Sequence, residues 1–263
     1  MKPLVAVLLL VFFNSANGSE RDSAFHRQTW FNTLGADSRD YLTAPFKWKG
    51  KQWTRAAAMA GVTILLTTAD EPVRDIARQV QSPFLTGLSR YGLEPFGETY
   101  TFVFVGGMIA AGEISGRDRT RSTGYLAAES LLLSGLVARI PKLLLGRQRP
   151  DAWPPASPYD FKGPLKGSSF PSGHTTAVFS VASVVAYQYR NTRWVPPVAY
   201  SIAGLTGISR IYDDRHWLSD VVAGALLGTV TGIFLCKNRE DRALNLQPAY
   251  AGGVPGFKVS VTW

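Results

Sequence analysis

Six apolar segments dominate the chain beyond residue 55. They are rich in Ala, Leu, Val and Gly and show no strict alternation of apolar and polar positions, so the pattern favours helices over strands. The sequence therefore predicts an all-α fold, a six-helix bundle within a helical domain at residues 56–242. The segments cover residues 56–69, 99–112, 124–145, 175–189, 195–208 and 221–236.

Two further patterns lie outside these segments. Residues 71–91 space Val73, Ile76 and Val80 at helical intervals, which predicts one amphipathic helix lying on a surface. The tail at residues 243–263 contains a Gly-Gly turn signal and then alternates apolar and polar residues, which predicts a short C-terminal strand or hairpin.

The N-terminus has the order of a signal peptide. Lys2 precedes an apolar run at residues 4–13 and then a stretch of small residues ending at Gly18. We expect residues 1–18 to be a signal peptide, with an uncleaved membrane anchor as the alternative. Residues 19–55 form a polar and aromatic lead-in, irregular or partly helical. Both interpretations predict that the chain enters the secretory pathway and is located in the bacterial cell envelope.

The sequence carries signals both for and against helices that span a membrane. The apolar runs are shorter than the roughly 20 residues of a spanning helix, and the mean hydropathy of the chain is +0.01. Basic connections at residues 117–121, 190–193 and 237–242 nevertheless fall on one side of an alternating six-span arrangement. We expect an inner-membrane protein whose active site faces the periplasm, with a soluble periplasmic protein as the alternative.

The net charge of the chain indicates which classes of binding partner to expect. The chain has 28 Lys and Arg against 19 Asp and Glu, a net charge of +9. This excess suits an anionic membrane surface or a phosphorylated substrate, and no nucleic-acid-binding motif accompanies it. We predict no nucleic-acid partner, and the sequence does not determine the oligomeric state.

Two of the three histidines lie in unusual settings, whereas His26 is expected to be solvated. His174 ends the tetrapeptide Pro-Ser-Gly-His immediately before an apolar segment, where the free amides and dipole of a helix N-terminus can bind an anion. His216 and Asp220 are four residues apart at the expected start of the last helix, so the carboxylate can orient the imidazole. Arg210 supplies a guanidinium suited to phosphate oxygens.

A third group of residues ends the third apolar segment. Lys142 and Arg149 are seven residues apart, and on a continuing helix they would share a face and converge on one anion. No His and carboxylate ligand set for zinc or magnesium is evident, and the adjacent Asp213 and Asp214 are expected to be loop residues. The sequence thus predicts an anion site without a metal.

Together these motifs resemble the signature of the type 2 phosphatidic acid phosphatase and vanadium haloperoxidase superfamily. The signature consists of Lys, six residues and Arg-Pro; then Pro-Ser-Gly-His; then Ser-Arg, five residues, His, three residues and Asp, and each position is filled in that order. The resemblance implies that His216 is the nucleophile, Asp220 its partner, and His174 the acid and later the base. It also implies phosphoryl-oxygen ligands at Lys142, Arg149, Ser172, Gly173 and Arg210.

The resemblance implies a metal-independent phosphatase that forms a phosphohistidine and needs no cofactor. The expected substrate is a phosphate mono- or diphosphate ester, borne by a lipid, and vanadate is an expected inhibitor. The alternatives are a soluble acid phosphatase of broad specificity, a haloperoxidase with vanadate as cofactor, and a non-catalytic membrane or scaffold protein. The sequence does not choose among phosphatidate, phosphatidylglycerophosphate, undecaprenyl diphosphate and lipid A phosphates.

Overall fold

The computed structural model describes residues 27–251 and 254–261. The predicted signal peptide, His26 and the Gly252-Gly253 turn lie outside these residues. Within them the chain forms nine α-helices and two strands, joined in part by short 3-10 and π turns. The helices are α1 Arg27–Lys47, α2 Gly50–Leu66, α3 Asp70–Gln79, α4 Pro83–Leu88, α5 Thr99–Ser115, α6 Asp118–Leu145, α7 Gly173–Gln188, α8 Val195–Tyr212 and α9 Leu218–Ala243, and the strands are β1 Leu244–Ala251 and β2 Val254–Val261.

The all-α prediction is confirmed. The six apolar segments correspond to α2 and α5 to α9, which mostly extend a few residues beyond them. The predicted C-terminal hairpin is also present, since β1 and β2 pair antiparallel with Leu244 opposite Val261. Most of the lead-in at residues 19–55 is helical in α1. It was predicted to be irregular or partly helical, and the structure shows that it is partly helical.

The prediction of a single helix at residues 71–91 is wrong. The segment divides into α3 and α4, followed by a π turn at Ser89–Leu93 and a 3-10 turn at Glu94–Gly97. Pro83 lacks the N–H that a continuing helix needs, and Ser82 caps the new helix by accepting a hydrogen bond from the Leu85 amide. The apolar periodicity therefore continues across a break in the backbone.

Helices α7 and α9 pack closely against each other. Three glycines four residues apart on α9 face the backbone of α7, where an added Cβ on Gly228 would lie 2.4 Å from the carbonyl oxygen of Thr176. A Cβ added on Gly224 or Gly232 would lie 2.6 or 2.7 Å from the carbonyl oxygen of Ser172 or Ser180, respectively. Side chains at these positions would force the helices apart. This packing fixes the N-terminus of α7 beside the start of α9.

Within the described residues, one helix is long and apolar enough to cross a bilayer, at Leu218–Arg242. Almost half of its apolar window, 44%, is buried inside the protein. Large apolar side chains on the outer helices are nevertheless exposed, among them Ile64, Leu65, Ile114 and Leu132.

Candidate active site

His216 lies in the loop between α8 and α9, not on the helix as its spacing from Asp220 suggested. Hydrogen bonds from the amides of Arg215 and His216 to the carbonyl oxygen of Arg210 hold this loop. The imidazole is 3% exposed, and its Nδ1 lies 3.6 Å from Oδ2 of Asp220. That separation exceeds a hydrogen bond, and Nδ1 has no other hydrogen-bond partner among the described residues. Asp220 thus faces the imidazole without a direct hydrogen bond.

The carboxylate of Asp220 is held by other groups. Its Oδ1 accepts a hydrogen bond from Nη1 of Arg147 at 2.5 Å, and its Oδ2 accepts from Oγ of Ser169 at 2.5 Å and from the amide of Trp217 at 3.1 Å. Asp220 and both side-chain donors are buried. These contacts fix the carboxylate independently of His216.

His174 is the second residue of α7 and its side chain is 30% exposed. Its Nε2 lies 3.7 Å from Oε2 of Glu98. Burial lowers the pKa of His174 and the positive charge of Arg210 lowers it further, while Glu98 and Glu94 act in the opposite direction. The imidazole therefore lies between a cationic group and a carboxylate pair.

The N-terminus of α7 forms beside His174 as the sequence predicts. Ser172 is the N-cap, and its Oγ accepts hydrogen bonds from the amide and the hydroxyl of Thr175 at 3.4 and 2.9 Å. The amide of Ser172 donates to the carbonyl oxygen of Asp220 at 3.0 Å, which joins the second and third motifs. A Cβ added at Gly173 would meet no heavy atom within 4 Å, so the backbone there borders open space.

Lys142 and Arg149 converge by a different route from the one predicted. The helix does not continue between them, because α6 ends at Leu145 and Gly146 adopts the left-handed conformation with φ 59°. Burial lowers the pKa of His216 to about 4; Asp220 opposes this shift, and the charges of Arg149 and Lys142 add to it. Both cations therefore act on the same imidazole.

The two cations differ in their hydrogen bonds. Lys142 donates from Nζ to the carbonyl oxygen of Ser168 at 2.5 Å. Nε of Arg149 is buried and has no hydrogen-bond partner in the described part of the chain. A buried guanidinium nitrogen without an acceptor is well suited to bind an anion.

Arg210 is engaged by carboxylates of the protein. Its guanidinium is almost fully buried, with Nη1 2.8 Å from Glu94 and Nη2 2.5 Å from Asp213. Its charge nevertheless lowers the pKa values of both His174 and Arg149, so it lies within electrostatic reach of the other site residues.

Direct contacts also join the three motifs. The indole Nε1 of Trp217 donates to the carbonyl oxygen of Gln148 at 2.9 Å, which links the third motif to the first. The amide of Ser169, two residues before the second motif, donates to the carbonyl oxygen of Arg147 in the first motif at 3.1 Å. All eight residues predicted for the site therefore lie at one end of the bundle.

Residues 124–243, which contain all three motifs, match the family model of the PAP2 superfamily. Over these residues, a little under half of the chain, the sequence is similar to this superfamily. The resemblance to the type 2 phosphatidic acid phosphatases is thereby confirmed, and the match covers α6 to α9 together with the connections between them.

Two named relatives are similar to this chain over different shares of its length. A lipid A 1-phosphatase of Porphyromonas gingivalis is 33% identical over 120 residues, which is 44% of this chain but only 24% of that protein. Phosphatidylglycerophosphatase B of Bacillus subtilis is 28% identical over 192 residues, 68% of this chain and 87% of the relative. The chain thus spans about a quarter of the length of the first relative.

A similar fold is known from a crystal structure. The crystal structure of a transmembrane PAP2 type phosphatidylglycerolphosphate phosphatase from Bacillus subtilis superposes with a TM-score of 0.53 at 22% identity, over 70% of this chain and 96% of the other. This similarity confirms the fold.

Sequence reasoning missed several residues around the PAP2 motifs. Arg147 and Ser169 hold Asp220, and Glu94 and Glu98 lie beside Arg210 and His174. The one available signal was the position of Arg147 inside the first motif, two residues before Arg149. The described residues contain no group of three or more His, Cys, Asp or Glu side chains that could hold a metal.

Proposed function

We propose that the chain is a metal-independent phosphatase that hydrolyses phosphate mono- or diphosphate esters at this site. One observation carries the proposal: three cationic side chains and two histidines from separate motifs meet at one helix N-terminus, where Nε of Arg149 is buried without an acceptor. A transferring phosphoryl group needs its oxygens neutralised, and such a cluster supplies that charge from protein groups alone.

The first step is an in-line attack by His216. With Nδ1 directed at Asp220, the lone pair of Nε2 on the neutral imidazole is available for phosphorus. The new bond is P–N, and the bond that breaks is the one from phosphorus to the leaving-group oxygen. His174 donates a proton to that oxygen, so the leaving group departs as an alcohol or, from a diphosphate, as a protonated phosphate.

The second step releases phosphate. A water molecule attacks the phosphohistidine, His174 accepts its proton, and the P–N bond breaks. This step regenerates the neutral imidazole of His216 and the protonated His174, so both residues return to their starting forms. During both steps the carboxylate of Asp220 stabilises the positive charge that develops on the imidazole ring.

Substrate binding prepares His174 for its role as an acid. In the free enzyme burial and the charge of Arg210 lower its pKa, which disfavours the protonated form. A bound phosphate dianion brings negative charge into the cationic cluster and reverses the electrostatic part of this effect. Proton donation is thereby coupled to the presence of substrate.

An apolar groove supports a lipid-borne substrate. A cavity of about 60 Å³ between α5, α7 and α8 is lined by Phe96, Phe104, Val178 and Ile202 among other apolar residues. Phe96, one of its lining residues, immediately precedes Gly97, which packs on His174. An acyl chain in this groove would leave the phosphate at the catalytic histidines. The names of the relatives, which include lipid A and phosphatidylglycerophosphate phosphatases, favour the same substrate class.

The decisive experiment compares phosphate release by the wild type, His216→Gln and His26→Ala on a panel of lipid and water-soluble phosphates. We expect His216→Gln to lose turnover and His26→Ala, which alters the histidine outside the motifs, to keep it. Activity should survive EDTA, and orthovanadate should compete with substrate. Turnover at the wild-type rate in His216→Gln contradicts the proposal, and strict magnesium dependence contradicts the metal-independent mechanism.

We also propose that the enzyme is embedded in the inner membrane with this site facing the periplasm. The apolar helix Leu218–Arg242 and the exposed apolar side chains of the outer helices support this location. Extraction of the expressed protein should require detergent. Release by salt or osmotic shock alone would indicate the soluble periplasmic alternative.

A further inference from the structure

A buried arginine, Arg147, connects Asp220, the partner of the proposed nucleophile, to α3, a helix far from both residues in the sequence. The side chain of Arg147 is fully buried, and its Nη1 donates to Oδ1 of Asp220 at 2.5 Å and to Oγ of Ser219 at 2.7 Å. Its Nη2 donates to Oδ2 of Asp70 at 2.6 Å, and its Nε donates to the carbonyl oxygen of Pro158 at 2.9 Å. One guanidinium therefore joins two buried carboxylates.

Asp70 also binds the start of α9 directly. It is the first residue of α3 and is 1% exposed. Its Oδ1 accepts a hydrogen bond from the amide of Ser219 at 2.8 Å, and its Oδ2 accepts one from Oγ of Ser219 at 2.7 Å. Asp70 thus holds the residue immediately before Asp220 as well as the arginine that binds Asp220. It lies outside residues 124–243, the part that matches the family model.

Helix α3 also contacts the loop between α8 and α9 on the N-terminal side of His216. Nε and Nη2 of Arg74 donate to the two carboxylate oxygens of Asp214 at 2.6 and 2.9 Å, and Nη2 of Arg78 donates to the same carboxylate at 2.7 Å. Asp214 is two residues before His216. The helix α3 therefore contacts the loop before the imidazole through its arginines and the residues after it through Asp70.

We propose that Asp70 is a positioning residue, which acts through Arg147 and Ser219 to hold the carboxylate of Asp220 against His216. This inference rests on the proposed function, in which Asp220 stabilises the nucleophile. Within the described residues, no hydrogen bond or ion pair joins Asp70 to His174 or His216. Its effect follows from the shared guanidinium: without the charge of Asp70, Arg147 loses one of its two carboxylates and the amide of Ser219 loses a charged acceptor, so the geometry of Asp220 is no longer fixed.

The test compares Asp70→Asn with a matched control, Asp37→Asn. Asp37 is equally buried and forms ion pairs with Arg239 and Arg242 at the other end of α9, far from the site. Both variants remove a buried carboxylate charge that pairs with arginine, so both should lower the thermal unfolding midpoint. Only Asp70→Asn should lower kcat, by about 10- to 100-fold, because small displacements of catalytic groups have effects of that size. KM should change little in both variants.

A second variant covers the case in which Asp70→Asn does not fold. Ser219→Ala removes a hydrogen-bond donor to Asp70 and an acceptor from Arg147 without removing a charge. We expect it to remain folded and to lose several-fold in kcat at an unchanged KM. The inference is overturned if Asp70→Asn loses no more kcat than Asp37→Asn, or, where Asp70→Asn is unfolded, if Ser219→Ala retains the wild-type kcat.

The parallel measurement on His216→Gln distinguishes failure of the positioning role from failure of the proposed function. If His216→Gln is inactive while Asp70→Asn behaves like Asp37→Asn, the positioning role fails and the proposed function stands. If His216→Gln retains wild-type turnover, the proposed function fails and the role of Asp70 falls with it.

Discussion

Gly97 packs directly against His174. A Cβ added to Gly97 would lie 2.5 Å from the Cβ of His174 and 2.6 Å from its Cδ2, distances too short for any non-bonded carbon pair. Gly97 ends the 3-10 turn Glu94–Gly97, which also contains the carboxylate bound to Arg210. The backbone of this turn therefore sets how far the imidazole can approach α5.

The close contact predicts a specific effect of Gly97→Ala. The new methyl group must displace the imidazole of His174, so we expect kcat to fall by about tenfold or more. Gly87→Ala is the matched control, because a Cβ at Gly87, inside α4, would meet nothing within 4 Å. Steady-state kinetics on both purified variants is the measurement. Equal kcat values in the two variants would mean that the position of His174 is not limiting.

The helices and the approximate place of the site could be predicted because their signals are local. Apolar segments of helical length give α2 and α5 to α9, and Ser172 before an apolar run marks the N-terminus of α7. The resemblance of the motifs then indicated which residues belong to one site, and the structure places all of them at one end of the bundle.

The remaining features depend on contacts between distant residues. The ion pair between Asp70 and Arg147 joins positions 77 residues apart, and nothing in the local sequence of either residue indicates it. The shared helix face of Lys142 and Arg149 was a local inference that failed because Gly146 ends α6. The two residues still converge, because the chain turns at Gly146 and returns to the same end of the bundle.

The buried state of His216 predicts how stability depends on pH. Its pKa in the folded protein is lowered to about 4 by burial, whereas an imidazole in an unfolded chain titrates near pH 6.5. Between these values unfolding takes up a proton, so this contribution to stability is fully present above pH 6.5 and is lost as the pH falls towards 4. The full contribution is on the order of 3 kcal/mol.

The comparison that isolates this contribution uses His216→Gln, which cannot titrate at that position. The thermal unfolding midpoint in detergent should fall more steeply for the wild type than for His216→Gln as the pH is lowered from 6.5 to about 4.5. Parallel curves for the two proteins would show that His216 is not held neutral in the folded state.

The unpaired guanidinium nitrogen of Arg149 predicts a role in anion affinity. Loss of a hydrogen bond to a charged group costs about 1.5 to 3 kcal/mol, so Arg149→Ala should raise the inhibition constant of orthovanadate by roughly 10- to 100-fold. Arg149→Lys should recover part of this affinity, because it restores the charge without the planar array of donors. The expected loss reflects the position of Arg149 within electrostatic reach of both histidines.

The control for this series is Arg190→Ala, which removes an exposed arginine that pairs with Glu240 at the far end of α9. Exposed ion pairs contribute little, so its inhibition constant should stay within about twofold of the wild-type value. If Arg149→Ala binds orthovanadate as tightly as Arg190→Ala does, the anion is held elsewhere and Arg149 is not one of its ligands. A loss in Arg149→Ala alone, with partial recovery in Arg149→Lys, is the result that a guanidinium in direct contact with the anion requires.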